Sequence, residues 1–170
     1  MRLVPAAVVV FAAASWAALI GGAPLLVSPT SSDAAVVAAA FVYRAGSVLC
    51  HQQHGRSFEL DGTQLPVCAR CTGLYAGGAA GAALAWLGLL AHWRRAAAPR
   101  LSIDRWRVLA VASALPMLAA WAGEHGLGVG VTNVIRFTTA LPLGAAVAAI
   151  VVAWAGGARF HDSPAATAIH

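Results

Sequence analysis

Residues 72–93 read TGLYAGGAAGAALAWLGLLAHW, a stretch without an acidic or basic side chain other than one histidine. About 20 apolar residues in a helix are enough to cross the hydrocarbon core of a bilayer. Gly73, Gly77 and Gly81 repeat every four residues, so they lie on one face of such a helix and let a neighbour approach closely. The stretch therefore predicts a transmembrane helix that packs tightly against a second helix.

Three further apolar stretches extend this pattern to the rest of the chain. They lie at residues 3–27, 108–122 and 134–154, and Pro116 is predicted to kink the middle one. The chain is 60% hydrophobic and 10% charged, with a mean hydropathy of +0.75, which is outside the range of soluble globular domains. We predict an all-α fold, a polytopic transmembrane helical bundle whose main partner is the lipid bilayer.

The first apolar stretch also begins like a secretory signal peptide. It is longer than a signal core, and cleavage near Gly21 would leave Pro24 just after the cut, so we predict an uncleaved span. The predicted parts are an N-terminal transmembrane helix with a breaker loop (1–32), a membrane domain (33–155) containing a Cys/His loop (50–71), and a polar C-terminal tail (156–170).

A shorter segment lies between the first two apolar stretches. Asp33 can cap a helix that runs from Ala34 to about Leu49, but this helix is short and contains Arg44. We predict that it is interfacial or re-entrant, which gives four spans plus one such helix. Five spans are the alternative.

The distribution of arginine predicts the topology. All eleven basic residues are arginine, and five of them lie between residues 94 and 107 with one acid, Asp104. The positive-inside rule places this segment in the cytoplasm, so loop 50–71 faces outside in a multi-pass protein of the bacterial inner (cytoplasmic) membrane. The net charge of +5 does not indicate nucleic acid, because the segment lacks the repeated aromatic side chains of a base-stacking platform.

The residues suited to chemistry lie in loop 50–71. Cys68 and Cys71, at a Cys-x-x-Cys spacing, can bind one metal ion from a single turn, and Cys50 with a histidine could complete a tetrahedral set. His54 is about one helical turn from Cys50, whereas adjacent side chains diverge. We predict a metal site of Cys50, Cys68, Cys71 and either His51 or His54, with zinc as the cofactor; iron and no metal are the alternatives.

The same thiols admit other functions. A Cys-x-x-Cys at a helix N-terminus has a lowered thiol pKa, which suits a membrane thiol-disulfide oxidoreductase. The odd number of cysteines counts against that enzyme, which would use a second pair. A carrier or assembly factor for a metal or cofactor is a third function, and a structural disulfide is the remaining use of the cysteines. Enzymatic activity and a catalytic residue are left open.

Other polar residues share the loop or its predicted side of the membrane. Arg136 lies about one turn inside the last span, where an unpaired charge is costly, so we expect it to pair with Glu124 or Glu59. We expect Arg56, Arg70 and Arg136 to hold the loop against lipid headgroups or an anionic ligand. The polar residues that we add to the candidate site are Gln52, Arg56, Ser57, Arg70, Tyr75, Glu124, Asn133 and Arg136.

A longer motif runs through the loop into the next helix. It reads CHQ at residues 50–52, RSF at residues 56–58 and PVCARCTGLYAG at residues 66–77. Together with Pro-Met at 116–117 and with Asn133, Arg136 and Thr139, it closely resembles domain-of-unknown-function family 2085, small predicted membrane proteins of bacteria and archaea. The resemblance covers about residues 41–145 and implies that the loop is one site; it implies no activity.

The chain departs from that family's pattern at one place. The family tends to have an aspartate shortly after the Pro-Met pair, and Ala119, Ala120 and Trp121 stand there in this chain. Glu124 is the next acidic residue along the helix.

Overall fold

The computed structural model describes residues 2–27, 30–94 and 100–161. In chain order, their elements are α1 (Leu3–Gly22), α2 (Asp33–Leu49), β1 (Glu59–Leu60), β2 (Thr63–Gln64), α3 (Ala69–Arg94), β3 (Arg100–Ser102), α4 (Ile103–Gly126), α5 (Asn133–Ala155) and β4 (Arg159–His161), with 3₁₀ turns at Ala23–Leu26 and His54–Arg56. Three predicted features lie wholly or partly outside the described residues: the breaker loop at 28–29, Arg95, and the polar tail from residue 162 onward.

Four helical segments in the described part of the chain are long and apolar enough to cross a membrane. They are Leu3–Leu26, Ala69–Ala91, Ile103–Gly126 and Asn133–Ala155. α2 is not one of them, because its 17 residues fall short of the roughly 20 that a bilayer core requires. The predicted all-α bundle is confirmed, and the helix count favours four spans plus one shorter helix over five spans.

α3 and α5 run parallel to each other in close contact. Three glycines of α3 lie against successive turns of α5, and a Cβ atom at any of them would overlap the backbone of α5. The pairs are Gly73 with Phe137, Gly77 with Leu141 and Gly81 with Ala145. The four-residue glycine repeat is therefore the contact face of α3, as the sequence predicts.

α1 packs antiparallel to α3. Near the start of α1, Ala6 lies in a buried cluster with Ala82 and Leu89. Near its end, the Trp16 ring makes an edge-to-face contact with Tyr75, with 5.9 Å between ring centroids. The N-terminus of α1 therefore lies at the same end of the bundle as the C-terminus of α3. We call this end the arginine end and the opposite one the cysteine end.

α4 extends beyond the apolar stretch at both ends. It spans Ile103–Gly126 rather than 108–122, it continues through Pro116, and it packs against α5. The extension places Glu124 in the last turn of α4 instead of in the predicted polar turn. An acidic residue is tolerated there because arginines of neighbouring segments surround its carboxylate.

α2 lies at the cysteine end. Its N-cap is Ser32, not the predicted Asp33, and the Ser32 hydroxyl accepts a hydrogen bond from the Ala35 N–H at 3.4 Å. α2 contacts the Ala23–Leu26 turn, and its Gly46 packs directly on the Pro66 carbonyl. The Ala23–Leu26 turn forms the last residues of the first span and Pro66 lies just before α3, so α2 packs on the end of the bundle.

Two short strand pairs are present that the sequence interpretation does not predict. β1 and β2 form an antiparallel hairpin whose turn residues, Asp61 and Gly62, have φ angles of 49° and 74°. Asp-Gly is a common pair in such two-residue turns, so the signal was present in the sequence. At the arginine end, β3 and β4 pair in parallel and join the segments that follow α3 and α5.

Candidate functional site

The structure brings the three cysteines together at the cysteine end. Cys50 follows α2, Cys68 immediately precedes α3, and Cys71 lies in the first turn of α3. Their three Sγ atoms lie within 4.8 Å of one another, and all three cysteines are free thiols. Sulfurs on one tetrahedral zinc ion are about 3.8 Å apart, given Zn–S bonds of about 2.3 Å. A small contraction of the cluster would therefore suffice to hold a metal ion.

Hydrogen bonds within the cluster change the acidity of Cys68. A side-chain hydrogen bond from Cys71 lowers the pKa of the Cys68 thiol, against the opposing effect of burial. The backbone N–H of Cys68 in turn donates to Cys50 Sγ at 3.2 Å. This hydrogen bonding favours the thiolate form of Cys68, which is the form that binds metals and attacks disulfides.

Neither predicted histidine ligand joins the sulfur cluster. Among the described residues, the group of ligand atoms around this point contains the three cysteines and no histidine. The Nδ1 atom of His54 is hydrogen-bonded to Oε1 of Gln64 instead. His51 is exposed and lines the pocket beside the thiols. The three sulfurs thus face a space in which a fourth ligand could come from His51 or from outside the protein.

That space is a pocket of about 320 Å³ at the cysteine end. It is lined by sulfur, guanidinium, imidazole and amide groups together with one apolar residue. The lining residues are Leu49, Cys50, His51, Gln52, Gln53, Arg56, Cys68, Arg70, Cys71 and Arg136. Thiols and cationic side chains therefore share one cavity.

Three arginines from different segments converge on the carboxylate of Glu124. Arg136 Nη2 lies 2.7 Å from Oε1, Arg56 Nη2 lies 3.2 Å from the same oxygen, and Arg70 Nη2 bonds to Oε2. The Glu124 side chain is only 9% exposed, and that of Arg136 is 11% exposed. Of the two expected partners of Arg136, Glu124 is the one that pairs with it; Glu59 lies exposed on β1. The cluster ties the loop, α3, α4 and α5 together.

Amide side chains hold the loop in shape. Gln52 has a left-handed φ of 47°, and its Nε2 donates to the carbonyls of Tyr43 at 2.8 Å and Pro66 at 2.7 Å. Nε2 of Gln64 donates to the Gln52 carbonyl at 3.0 Å and to the Ser57 hydroxyl at 3.1 Å. These bonds connect the start of the loop to both its hairpin and its end, beside Cys68.

Two contacts dock the loop onto α5. Asn133 Nδ2 donates to the Ser57 carbonyl at 3.0 Å, and Asn133 Oδ1 accepts from Arg136 Nη1 at 2.7 Å. The Phe58 ring packs edge-to-face on Phe137, with 5.8 Å between centroids. The RSF segment at residues 56–58 therefore supplies one contact to the arginine cluster and two to α5.

The loop motif and the helices that hold it also identify the family. A family model described as "Predicted membrane protein (DUF2085)" matches residues 50–150 of this chain. The chain belongs to this family. The matched region contains all three cysteines, the four charged residues of the arginine cluster, all of α3 and α4, and most of α5. No curated protein and no solved structure matches the chain.

The sequence interpretation missed three residues that shape the site. Gln64 is hydrogen-bonded to four other residues of the site, including the Tyr43 hydroxyl, which donates to its carbonyl. Trp16 packs on Tyr75, which lies against the buried cluster around Cys50 rather than in the polar part of the site. The Asp-Gly turn places Gln64 opposite Glu59, so a hairpin prediction would have placed Gln64 in the site. The sequence around Tyr43 and Trp16 contains no pattern that indicates their role.

Proposed function

We propose that this DUF2085 protein binds a thiophilic metal ion, with zinc the first candidate, through Cys50, Cys68 and Cys71. The observation that carries the proposal is the convergence of three sulfurs from two separate segments within 4.8 Å. A disulfide or a redox pair needs only two sulfurs, whereas a zinc site commonly uses three or four. The thiolate form of Cys68 supports the same function.

The ligand set has one open position in this proposal. Three protein ligands leave the fourth position of a tetrahedral ion exposed to the pocket, as in catalytic or metal-transfer sites, rather than closed as in structural ones. A zinc ion with three thiolates has a net charge of −1. The proposed role is therefore a metal site that exchanges a ligand, which suits a metal carrier, an assembly factor or a metalloenzyme.

Metal analysis of the purified protein tests this function. The protein is isolated anaerobically in mild detergent and its metal content and free thiols are counted. We expect about one zinc or iron per chain, lost in C50S, C68S and C71S and retained in His54→Ala, the matched control outside the cluster. Loss in His51→Ala would identify His51 as the fourth ligand. A wild-type protein without metal and with two of three thiols oxidised would contradict the proposal.

We also propose that the cysteine end faces outside and the arginine end faces the cytoplasm of a bacterial inner membrane. Arginine-rich residues 94–107 support this orientation. Single reporter cysteines in a C50S/C68S/C71S background test it. Gly55→Cys, at an exposed site where a Cβ atom meets nothing within 4 Å, should react with an impermeant thiol reagent in intact cells. Asp104→Cys should react only after the membrane is opened; the reverse pattern would overturn the orientation.

Thiol-disulfide exchange is the second candidate, favoured by the low pKa of Cys68 at the start of α3. In this reaction the Cys68 thiolate attacks a substrate disulfide, and Cys71 then displaces the substrate. The substrate is reduced to two thiols while Cys68 and Cys71 are oxidised to one disulfide. Stoichiometric reduction of a model disulfide by the metal-free protein, abolished in C68S and retained in C50S, would favour exchange over metal binding.

A further inference from the structure

The arginine cluster carries more positive charge than its acidic residue can neutralise. Arg56, Arg70 and Arg136 contribute three positive charges, and Glu124 contributes one negative charge. Each guanidinium has five N–H donors, whereas the carboxylate has two oxygens, and both are already engaged. The cluster therefore has an excess of two positive charges and of many donors.

The three arginines face the same cavity. Arg56, Arg70 and Arg136 all line the 320 Å³ pocket, whereas Glu124 is not among its lining residues. The carboxylate thus holds the guanidinium groups together from outside the pocket wall. This arrangement presents fixed cationic donors to whatever enters the pocket.

Within the described residues, one buried donor of the arginine cluster lacks a hydrogen-bond partner. Nε of Arg70 is buried and, within the described residues, makes no hydrogen bond. Burial of an N–H group without an acceptor is unfavourable, and native proteins nearly always satisfy such a group with protein, water or a ligand. Arg70 also lines the pocket, so a small shift of its side chain would let this N–H donate to an acceptor bound there.

We propose that the pocket binds the phosphate group of a small anion or lipid through Arg56, Arg70 and Arg136. Guanidinium groups match the oxygens of a phosphate with paired, charge-assisted hydrogen bonds, and the excess positive charge of the cluster favours an anion. Free phosphate and a phospholipid headgroup offer the same chemistry. Leu49, a 66% exposed apolar residue on the pocket rim, gives a lipid chain a surface to follow.

Titration of inorganic phosphate into the protein in a phosphate-free maltoside detergent tests the site by calorimetry. Arg56→Gln removes the most exposed of the three arginines, so the fold should survive. Arg70→Lys keeps the charge beside Glu124 but removes Nε. Each should weaken binding about tenfold or more, as expected for the loss of a charge-assisted hydrogen bond. Arg107→Gln, at the arginine end, is the matched control and should bind like wild type.

A second arm separates the two sources of phosphate. Mixed micelles with dioleoyl phosphatidic acid are compared with micelles containing dioleoylglycerol, which has the same chains and no phosphate. Binding of either phosphate probe, weakened by R56Q and R70K but not by R107Q, supports the site, and the probe that binds names the source. Absence of binding for both probes, or equal weakening by R107Q, overturns it.

The inference does not rest on the proposed metal. The titrations are repeated with chelator-treated wild type and with C50S, in which the arginine cluster is intact. We expect phosphate affinity to change by less than about twofold, well below the tenfold effect of losing one hydrogen bond. A protein that binds phosphate but no metal would contradict the proposed metal function and support the phosphate site. A protein that binds metal but no phosphate would contradict the phosphate site and support the metal function.

Discussion

The two ends of the bundle both carry several arginines but hold them in different ways. At the arginine end, Arg107 and Asp104 lie 3.9 Å apart with side chains 70% and 51% exposed. At the cysteine end, Arg136 and Glu124 lie 2.7 Å apart with side chains 11% and 9% exposed. Exposed arginines are solvated and gain little from a partner, whereas buried ones require one. Burial, rather than the number of charges, distinguishes the two ends.

Removal of the acidic partner should give the largest difference in stability between the buried pair at the cysteine end and the exposed pair at the arginine end. Glu124→Gln leaves Arg136 and Arg70 without a counter-charge in a buried position, which destabilises a protein by about 3–5 kcal/mol. Asp104→Asn removes an exposed partner and should cost at most about 0.5 kcal/mol. Unfolding in mixed micelles of mild detergent and dodecyl sulfate would measure both. Equal losses for the two variants would show that the buried cluster has no special role in stability.

Helix packing offers a second contrast between the ends, on a single helix. Gly73, at the cysteine end of α3, lies against the Phe137 carbonyl, whereas a Cβ atom at Gly88, near the arginine end, meets nothing within 4 Å. Gly73→Ala should destabilise the bundle by about 1–3 kcal/mol through overpacking. Gly88→Ala should be neutral or stabilising by up to about 1 kcal/mol, because glycine is a poor helix former.

The same micelle unfolding measurement checks this pair. Since Gly73 lies two residues after Cys71, Gly73→Ala should also lower the metal content of the purified protein, whereas Gly88→Ala should leave it unchanged. A stable Gly73→Ala protein would mean that α3 and α5 can separate at the cysteine end, and the site would then be less rigid than the glycine contacts indicate.

Much of this architecture could be predicted because local patterns carry it. Apolar length predicts the four spans, and the four-residue glycine spacing predicts the α3 contact face. The cost of an unpaired charge in a membrane predicts a partner for Arg136, and Glu124 is one of the two acids that the sequence offers. Clustering of cysteines in one loop predicts that they meet. Each inference depends on the spacing of nearby residues or on one strong energetic requirement.

The remaining features depend on distances that the sequence does not encode locally. His54 is separated from the thiols because a hairpin brings Gln64 to its ring nitrogen. Asn133 reaches the Ser57 carbonyl across 76 residues of chain. Three arginines share one carboxylate only because the loop, α3 and α5 surround the last turn of α4. Such contacts follow from the packed arrangement of several elements, which spacing alone does not define.

The smallest expected effect concerns uncharged bonds at the cysteine end. Gln52 and Gln53 are neighbours of the same type that line the same pocket, but the Gln52 side chain donates to the Tyr43 and Pro66 carbonyls. Gln52→Ala should cost about 1–2 kcal/mol for the two lost bonds, whereas Gln53→Ala should be nearly neutral. Gln52→Gly isolates the backbone contribution: it loses the same bonds but relieves a left-handed φ of 47°, so it should be more stable than Gln52→Ala by about 1 kcal/mol. If Gln52→Ala unfolds like wild type, the arginine cluster and not the amide side chains gives the loop its shape. The two ends of the bundle would then differ only in how they hold their charged side chains.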